Sequence, residues 1–337
     1  MTGHYFGQID FIRLQLVEMA FSKHIKPVFW SLLIFIIAQC FLFAVMTRVD
    51  PFLRENNLYI PPQPDTPIVV IPQPPITAPD GAVTPEVPIT SALLPILIYF
   101  AVVIVIISVV LFLIPLKALK FVFRALFALL FAWGIFILGI LYLPLWTTLL
   151  IALVAGAAWF FFPRIWLHNM MLMIALAGVA AIFGRMITPW TAMILLGVLA
   201  VYDLVAVRAG YMLWMANKMS QSAALPAFIL PSNAAELGAA VIHNDLDKVA
   251  DTPTQDRSYS VLGGGDIAFP LLLTASVYFQ RGGWSAIVIA AFGLAGIAMA
   301  YLIQAKVLKG RPMPALPPIA ILGLVGLLLV INVFPKV

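Results

Sequence analysis

The chain has 337 residues, of which 63% are hydrophobic and only 10% charged, and its mean hydropathy is +1.07. That leaves too little polar surface to cover a water-soluble core, which excludes a soluble globular domain and predicts an integral, multi-pass membrane protein. The net charge of +5 is spread over many loops rather than gathered in one patch, and gives no reason to invoke nucleic acid.

Backbone polar groups cannot go unpaired in lipid, and continuous rather than alternating apolarity selects helices over a barrel. The predicted fold class is therefore all-α. Residues 1–27 are polar and mixed, without the pattern of a cleavable signal; they are expected to be a cytoplasmic or interfacial segment, with Phe11–His24 as a weakly amphipathic helix at the interface. About nine apolar runs long enough to cross a bilayer follow, at Val28–Met46, Ala92–Ile114, Ala125–Tyr142, Trp146–Phe162, Leu167–Gly184, Trp190–Val207, Val261–Phe279, Trp284–Ile303 and Pro314–Phe334. The single cysteine, Cys40, falls inside the first run, so no intramolecular disulfide and no cysteine zinc site is possible.

The connections divide the chain into spans one to six (28–208), a loop (209–260) and spans seven to nine (261–337). Arg48–Ser91 holds 11 of the 26 prolines and is expected to be an extended, solvated external loop, a spacer or a lid. Arg185–Pro189 reads as a tight hairpin between spans five and six. Ala209–Ser260 joins spans six and seven and includes an apolar stretch, Leu225–Pro231.

Sorting the Lys and Arg residues among alternate loops tests the orientation. With the N terminus inside, the inner segments carry 14 and the outer ones 5. That positive-inside bias places the N terminus and residues 209–260 in the cytoplasm. Trp30, Trp146, Trp166, Trp190 and Trp284 fall near span ends, where an amphipathic ring anchors at the interface.

Asp203 and Asp266 are the only acidic residues inside the predicted spans. A carboxylate in hydrocarbon is costly enough that its default reading is functional. Span six runs inward, putting Asp203 roughly 8 Å from the inner surface; span seven runs outward, putting Asp266 roughly 11 Å in. Two carboxylates at one depth on consecutive spans suit a shared site. Close together they cannot both ionise readily, so one holds a proton while the other is charged. An ion-binding pair in a transporter or leak channel, or a structural polar anchor, fits the same two residues. Gly263-Gly264-Gly265 precedes Asp266; three glycines exceed what helix packing needs and leave a side-chain-free approach to the carboxylate. Pro314-Ala315-Leu316-Pro317-Pro318 opens the last span, where consecutive prolines keep the preceding backbone extended. Tyr202 is either an interfacial anchor or part of the site.

Tyr202-Asp203 on span six, Gly263-Gly264-Gly265-Asp266 on span seven and Pro314-Ala315-Leu316 opening span nine together resemble the presenilin and signal peptide peptidase family of intramembrane aspartyl proteases. The resemblance covers the full topology. It implies a nine-span bundle with a cytoplasmic N terminus, and cleavage of peptide bonds within transmembrane protein or peptide substrates in the lipid bilayer. Asp203 and Asp266 would be the catalytic pair, with Tyr202, Gly263, Gly264, Gly265, Pro314, Ala315 and Leu316 supporting the site or holding substrate. It implies no metal and no organic cofactor. The loop joining the Asp-bearing spans lacks the long hydrophilic insert of animal presenilins, so the chain looks like a compact prokaryotic or archaeal homologue, in the cell membrane if prokaryotic.

Type IV prepilin peptidases share the Gly-x-Gly-Asp element, but Pro-Ala-Leu, Tyr-Asp and the lack of a multi-cysteine zinc domain argue against them. No His-Glu-x-x-His motif occurs, and His4, His24, His168 and His243 are expected to be solvated or interfacial. Because a helical substrate hides its peptide groups, cleavage requires local unwinding. Leu225–Leu230 and the stretch around Pro314 are the predicted backbones onto which an unwound strand adds; a short apolar loop on the membrane surface fits Leu225–Pro231 equally well.

Overall fold

The computed structural model describes residues 4–56, 58, 98, 102, 105–106, 109, 116–210, 226–231, 237–239, 241, 259–306 and 314–333. Among these residues are eight continuous helices and one two-stranded ribbon. The helices are α1 (His4–Glu55), α2 (Leu116–Gly139), α3 (Leu145–Phe161), α4 (Ile165–Met186), α5 (Pro189–Arg208), α6 (Gly264–Arg281), α7 (Gly283–Lys306) and α8 (Leu316–Val333). The strands are β1 (Ala227–Pro231) and β2 (Tyr259–Gly263), paired antiparallel with Ala227 opposite Gly263 and Pro231 opposite Tyr259.

Among the described residues, six helical stretches are long and apolar enough to cross a membrane: Val28–Glu55, Phe121–Gly139, Ile165–Met186, Pro189–Arg208, Gly283–Lys306 and Leu316–Val333. The apolar helix α3 is 17 residues long. α6 is not among the six, and its surroundings explain why. It packs against α1, α4, α5, α7 and α8, and every residue from Pro270 to Val277 is buried. A helix enclosed by protein need not be apolar enough to face lipid. Of the predicted span Ala92–Ile114, only Ile98, Val102, Val105, Ile106 and Val109 are described; all are helical and exposed, at spacings that place them on one face.

Several boundaries differ from the sequence reading. α1 continues unbroken from His4 through Glu55, so the interfacial segment and the start of the proline-rich loop belong to one long helix. The Val261–Phe279 run is a strand through Gly263 and a helix only from Gly264. Within the stretch Leu225–Pro231, Leu225 lies outside the described residues and Ala227–Pro231 is a fully buried strand rather than a surface loop. Among the described residues the fold is all-helical apart from this ribbon, which periodicity cannot reveal because a buried five-residue strand reads as a short apolar run. α4 and α5 are separate helices, and Thr188 caps α5 by accepting the Thr191 N–H at 3.1 Å.

Close helix contacts rest on small residues, as expected where lipid supplies no hydrophobic drive. A Cβ on Gly296 would lie 2.7 Å from the Ile319 Cα, and one on Gly326 2.9 Å from Phe292, so these glycines pack α7 and α8 within the chain. The tightest approach joins α4 to α6, where a Cβ on Gly184 would strike Ala275 and lie 2.9 Å from the Ser276 N. Gly184→Ala is therefore expected to destabilise the fold by about 1–3 kcal/mol, read as a lower Tm in detergent. Wild-type stability in that variant would show that α4 and α6 can separate at no cost.

At the far ends of α1, α4 and α6, Arg185 Nε donates to Asp50 Oδ1 at 2.8 Å while its guanidinium lies 5.6 Å from the Phe279 ring centroid. This fastens one end of the bundle. The ribbon and both acidic residues lie at the other.

Candidate active site

α5 buries Ala192, Met193, Leu196, Ala200 and Asp203, a stripe at helical spacing. Asp203 therefore leaves α5 on the face turned to α6 and α8, and it is 3% exposed. Its Oδ2 accepts the Leu316 N–H at 3.2 Å, and the Ala315 N–H is a second donor nearby. The proline run explains this meeting. The first residues of a helix have N–H groups without intrahelical partners, and Pro317 and Pro318 have no N–H to satisfy. Donors remain at Ala315 and Leu316, and a carboxylate from α5 takes them.

Asp266 is half-buried in the first turn of α6, three residues after the N-cap Gly263. From that position it reaches back to the Gly263 N–H, half of a capping box. The carboxylates of Asp203 and Asp266 lie within electrostatic reach of each other. The helices that carry them pack directly together.

The glycines have different surroundings. Gly264 donates its N–H to the Pro226 oxygen at 2.9 Å, and a Cβ there would lie 2.6 Å from that same oxygen. A Cβ on Gly263 would come within 2.9 Å of Asp266 Oδ2, whereas one on Gly265 would meet only the Phe269 ring, at 3.5 Å. Backbone approach thus requires glycine at 264, the carboxylate occupies the space at 263, and 265 has room.

The structure brings Ala315 and Leu316 to Asp203 and Gly263 to Asp266, while Gly264 meets Pro226 instead. Pro314 is buried just before Ala315. Tyr202 is half-buried, one residue before Asp203 and so about 100° around α5 from it. Among the described residues no group of three or more His, Cys, Asp or Glu is arranged to hold a metal.

Two residues outside the expected set hold β1. His168, expected to be solvated or interfacial, is fully buried among the rings of Phe127, Phe131 and Trp159. Its Nε2 is 3.1 Å from the Ala227 oxygen, and since a carbonyl can only accept, that nitrogen carries the proton. Next to it, Asn169 Nδ2 donates to the Ile229 oxygen at 2.7 Å and Asn169 Oδ1 accepts the Ile229 N–H at 2.9 Å. The available signal was two successive polar residues in an otherwise apolar helix start. A third polar pair, Tyr301 and Ser31 with hydroxyls 2.5 Å apart, ties α7 to α1 within electrostatic reach of Asp266.

Comparison with known proteins bears on the family and the fold. Residues 85–336 match the family model described as signal-peptide peptidase, presenilin aspartyl protease. Among solved structures, the chain is similar to a presenilin family intramembrane aspartate protease at 20% identity and a TM-score of 0.52, over 90% of this chain and 98% of that one. At that identity the likeness speaks for the fold. No curated protein sequence matches the chain.

Proposed function

Because the chain belongs to the signal-peptide peptidase and presenilin aspartyl protease family, we propose that it is an intramembrane aspartyl endopeptidase in which Asp203 and Asp266 share general acid and base duties on a transmembrane substrate. The observation that carries this reading is that α5 and α6, each bearing one carboxylate at the same end of the bundle, pack directly together, with Asp203 bonded to the start of α8 and within electrostatic reach of Asp266. The ionised carboxylate takes a proton from water as its oxygen attacks the peptide carbonyl carbon. The protonated one gives its proton to the carbonyl oxygen. When the tetrahedral diol collapses, the C–N bond breaks, the nitrogen takes the first proton and the second carboxylate recovers its own. The cycle needs no other proton carrier.

We read the bundle as nine spans with a cytoplasmic N terminus. The basic-residue bias, 14 against 5, and the exposed helical face at 98–109 support this. The site then sits near the cytoplasmic surface.

The ribbon favours one docking edge for an unwound substrate. Gly264 bonds Pro226, and by the alternation of an antiparallel ladder Phe228 and Leu230 bond Leu262 and Ser260. Ala227 and Ile229 point the other way, onto His168 and Asn169. The outer edge of β1 is therefore occupied, which argues against adding a strand at Leu225–Leu230. Val261 on β2 is 39% exposed, and its outward N–H and C=O have no partner among the described residues. Substrate adds there, a few residues before Asp266.

The test is cleavage of a single-span peptide in liposomes across pH. At low pH both carboxyls are protonated and no base remains; at high pH both are ionised and no acid remains. Activity is expected to fall on both sides, with apparent pKa values that belong to the pair. Ion flux that depends on both Asp residues, without any cleavage, would overturn the protease reading.

A further inference from the structure

We propose that Asn169 is a positioning residue whose side chain stands in for a third strand on β1 and so fixes which substrate peptide bond faces the two carboxylates. The proposal rests on the reading of β2 as the substrate edge.

Hydrogen-bonding strands leave one N–H and one C=O per alternate residue on each edge. On the outer edge of β1, Ile229 presents both groups, and the carboxamide of Asn169 satisfies both, at 2.9 and 2.7 Å. A neighbouring strand would make the same two bonds. His168, one residue earlier on α4, takes the Ala227 oxygen, so consecutive residues of one helix cover consecutive outward positions of the strand. Asn is suited to this because its amide carries a donor and an acceptor side by side. Asp offers no donor when ionised, and Ala offers neither group.

The clamp transmits to the site through backbone. β1 sets the register of β2, in which Phe228 faces Leu262 and Ala227 faces Gly263. Gly264, bonded to Pro226, then begins the helix that carries Asp266. Nearby, the loop segment is tied to the start of α4 by Ile165 N–H to the Ala239 oxygen at 3.1 Å and Val241 N–H to the Pro163 oxygen at 2.8 Å. Ile165, Ile229 and Val241 pack together beneath it. A strand held only by β2 on one side and apolar packing on the other can slip by two residues without turning its side chains over. Asn169 singles out Ile229 and blocks that slip. A substrate strand on β2 inherits the register.

Asn169→Ala and the near-isosteric Asn169→Asp, as full-length proteins in liposomes with a single-span peptide, test this by product mass spectrometry and steady-state kinetics. Both are expected to lower kcat roughly tenfold to a hundredfold with a smaller change in KM, and to spread cleavage over neighbouring peptide bonds. A folded variant with wild-type kcat and unchanged cleavage positions overturns the proposal. Amide exchange on the wild type gives a second reading that no folding defect can obscure. The Ile229 amide should be as protected as those of Phe228 and Leu230, and the Val261 amide should exchange much faster. Ile229 exchanging as fast as Val261 also overturns it. If the wild type cleaves no peptide at all, the protease reading fails, while the exchange contrast still decides whether the clamp exists.

Discussion

Asp203→Asn and Asp266→Asn are each expected to reduce cleavage of a reconstituted single-span peptide by about 10³-fold or more, with the double variant little worse than either alone. A positioned acid or base contributes about 10²–10⁴-fold, and groups that act as a unit lose their effect together. The Asn substitution is informative because it keeps the structural role. Asp203 accepts the Leu316 N–H at the start of α8, and Asn caps helices about as well as Asp. Folding should therefore survive while proton transfer is lost. Asp203→Ala removes the acceptor as well and should cost about 1 kcal/mol more in stability. Should Asp203→Asn retain cleavage while Asp203→Ala merely unfolds, Asp203 is a cap for α8 and the catalytic assignment is wrong.

The second large effect separates two adjacent glycines. Gly264→Ala places a methyl group 2.6 Å from the Pro226 oxygen, where backbone rather than a flexible side chain must yield. Moving β1 off the start of α6 should cost about 1–3 kcal/mol of stability and, by displacing Asp266, roughly 10²-fold in activity. Gly265→Ala meets only Phe269 at ordinary contact distance, and an alanine is the better helix former by about 1 kcal/mol. It should fold at least as well as wild type, so any loss of cleavage reports obstruction of the substrate's approach to Asp266. Thermal denaturation alongside initial rates distinguishes the two. Equal stability in both variants would mean that the ribbon does not press on Gly264.

The site was legible in the sequence to the extent that lipid makes it so. Acids at positions 203 and 266 stand out because every other residue type around them obeys the solvent, and the prolines at 314, 317 and 318 mark a helix start by their chemistry alone. What those prolines do was not legible. By withdrawing two N–H groups from the first residues of α8 they leave Ala315 and Leu316 as donors for Asp203, a relation across 113 residues of chain. His168 was misread for a similar reason. Its place near a span end suggested water, but three aromatic side chains from α2 and α3 close over it. The ribbon escaped because five apolar residues in a loop have no period to read.

Composition and hydropathy by themselves determined the solvent, the helical class and the approximate position of most spans, since those follow from the cost of unpaired backbone in hydrocarbon and are local to each run. The order of the motifs determined the family. Only the tertiary structure decided which face each helix buries, that α6 is enclosed on all sides, that one edge of the ribbon is taken by Asn169 and His168, and that Gly264 rather than Gly265 has no space for a side chain. Those facts depend on distances between residues remote in the chain, and apolar sequence carries little trace of them because nearly any apolar side chain satisfies lipid equally well.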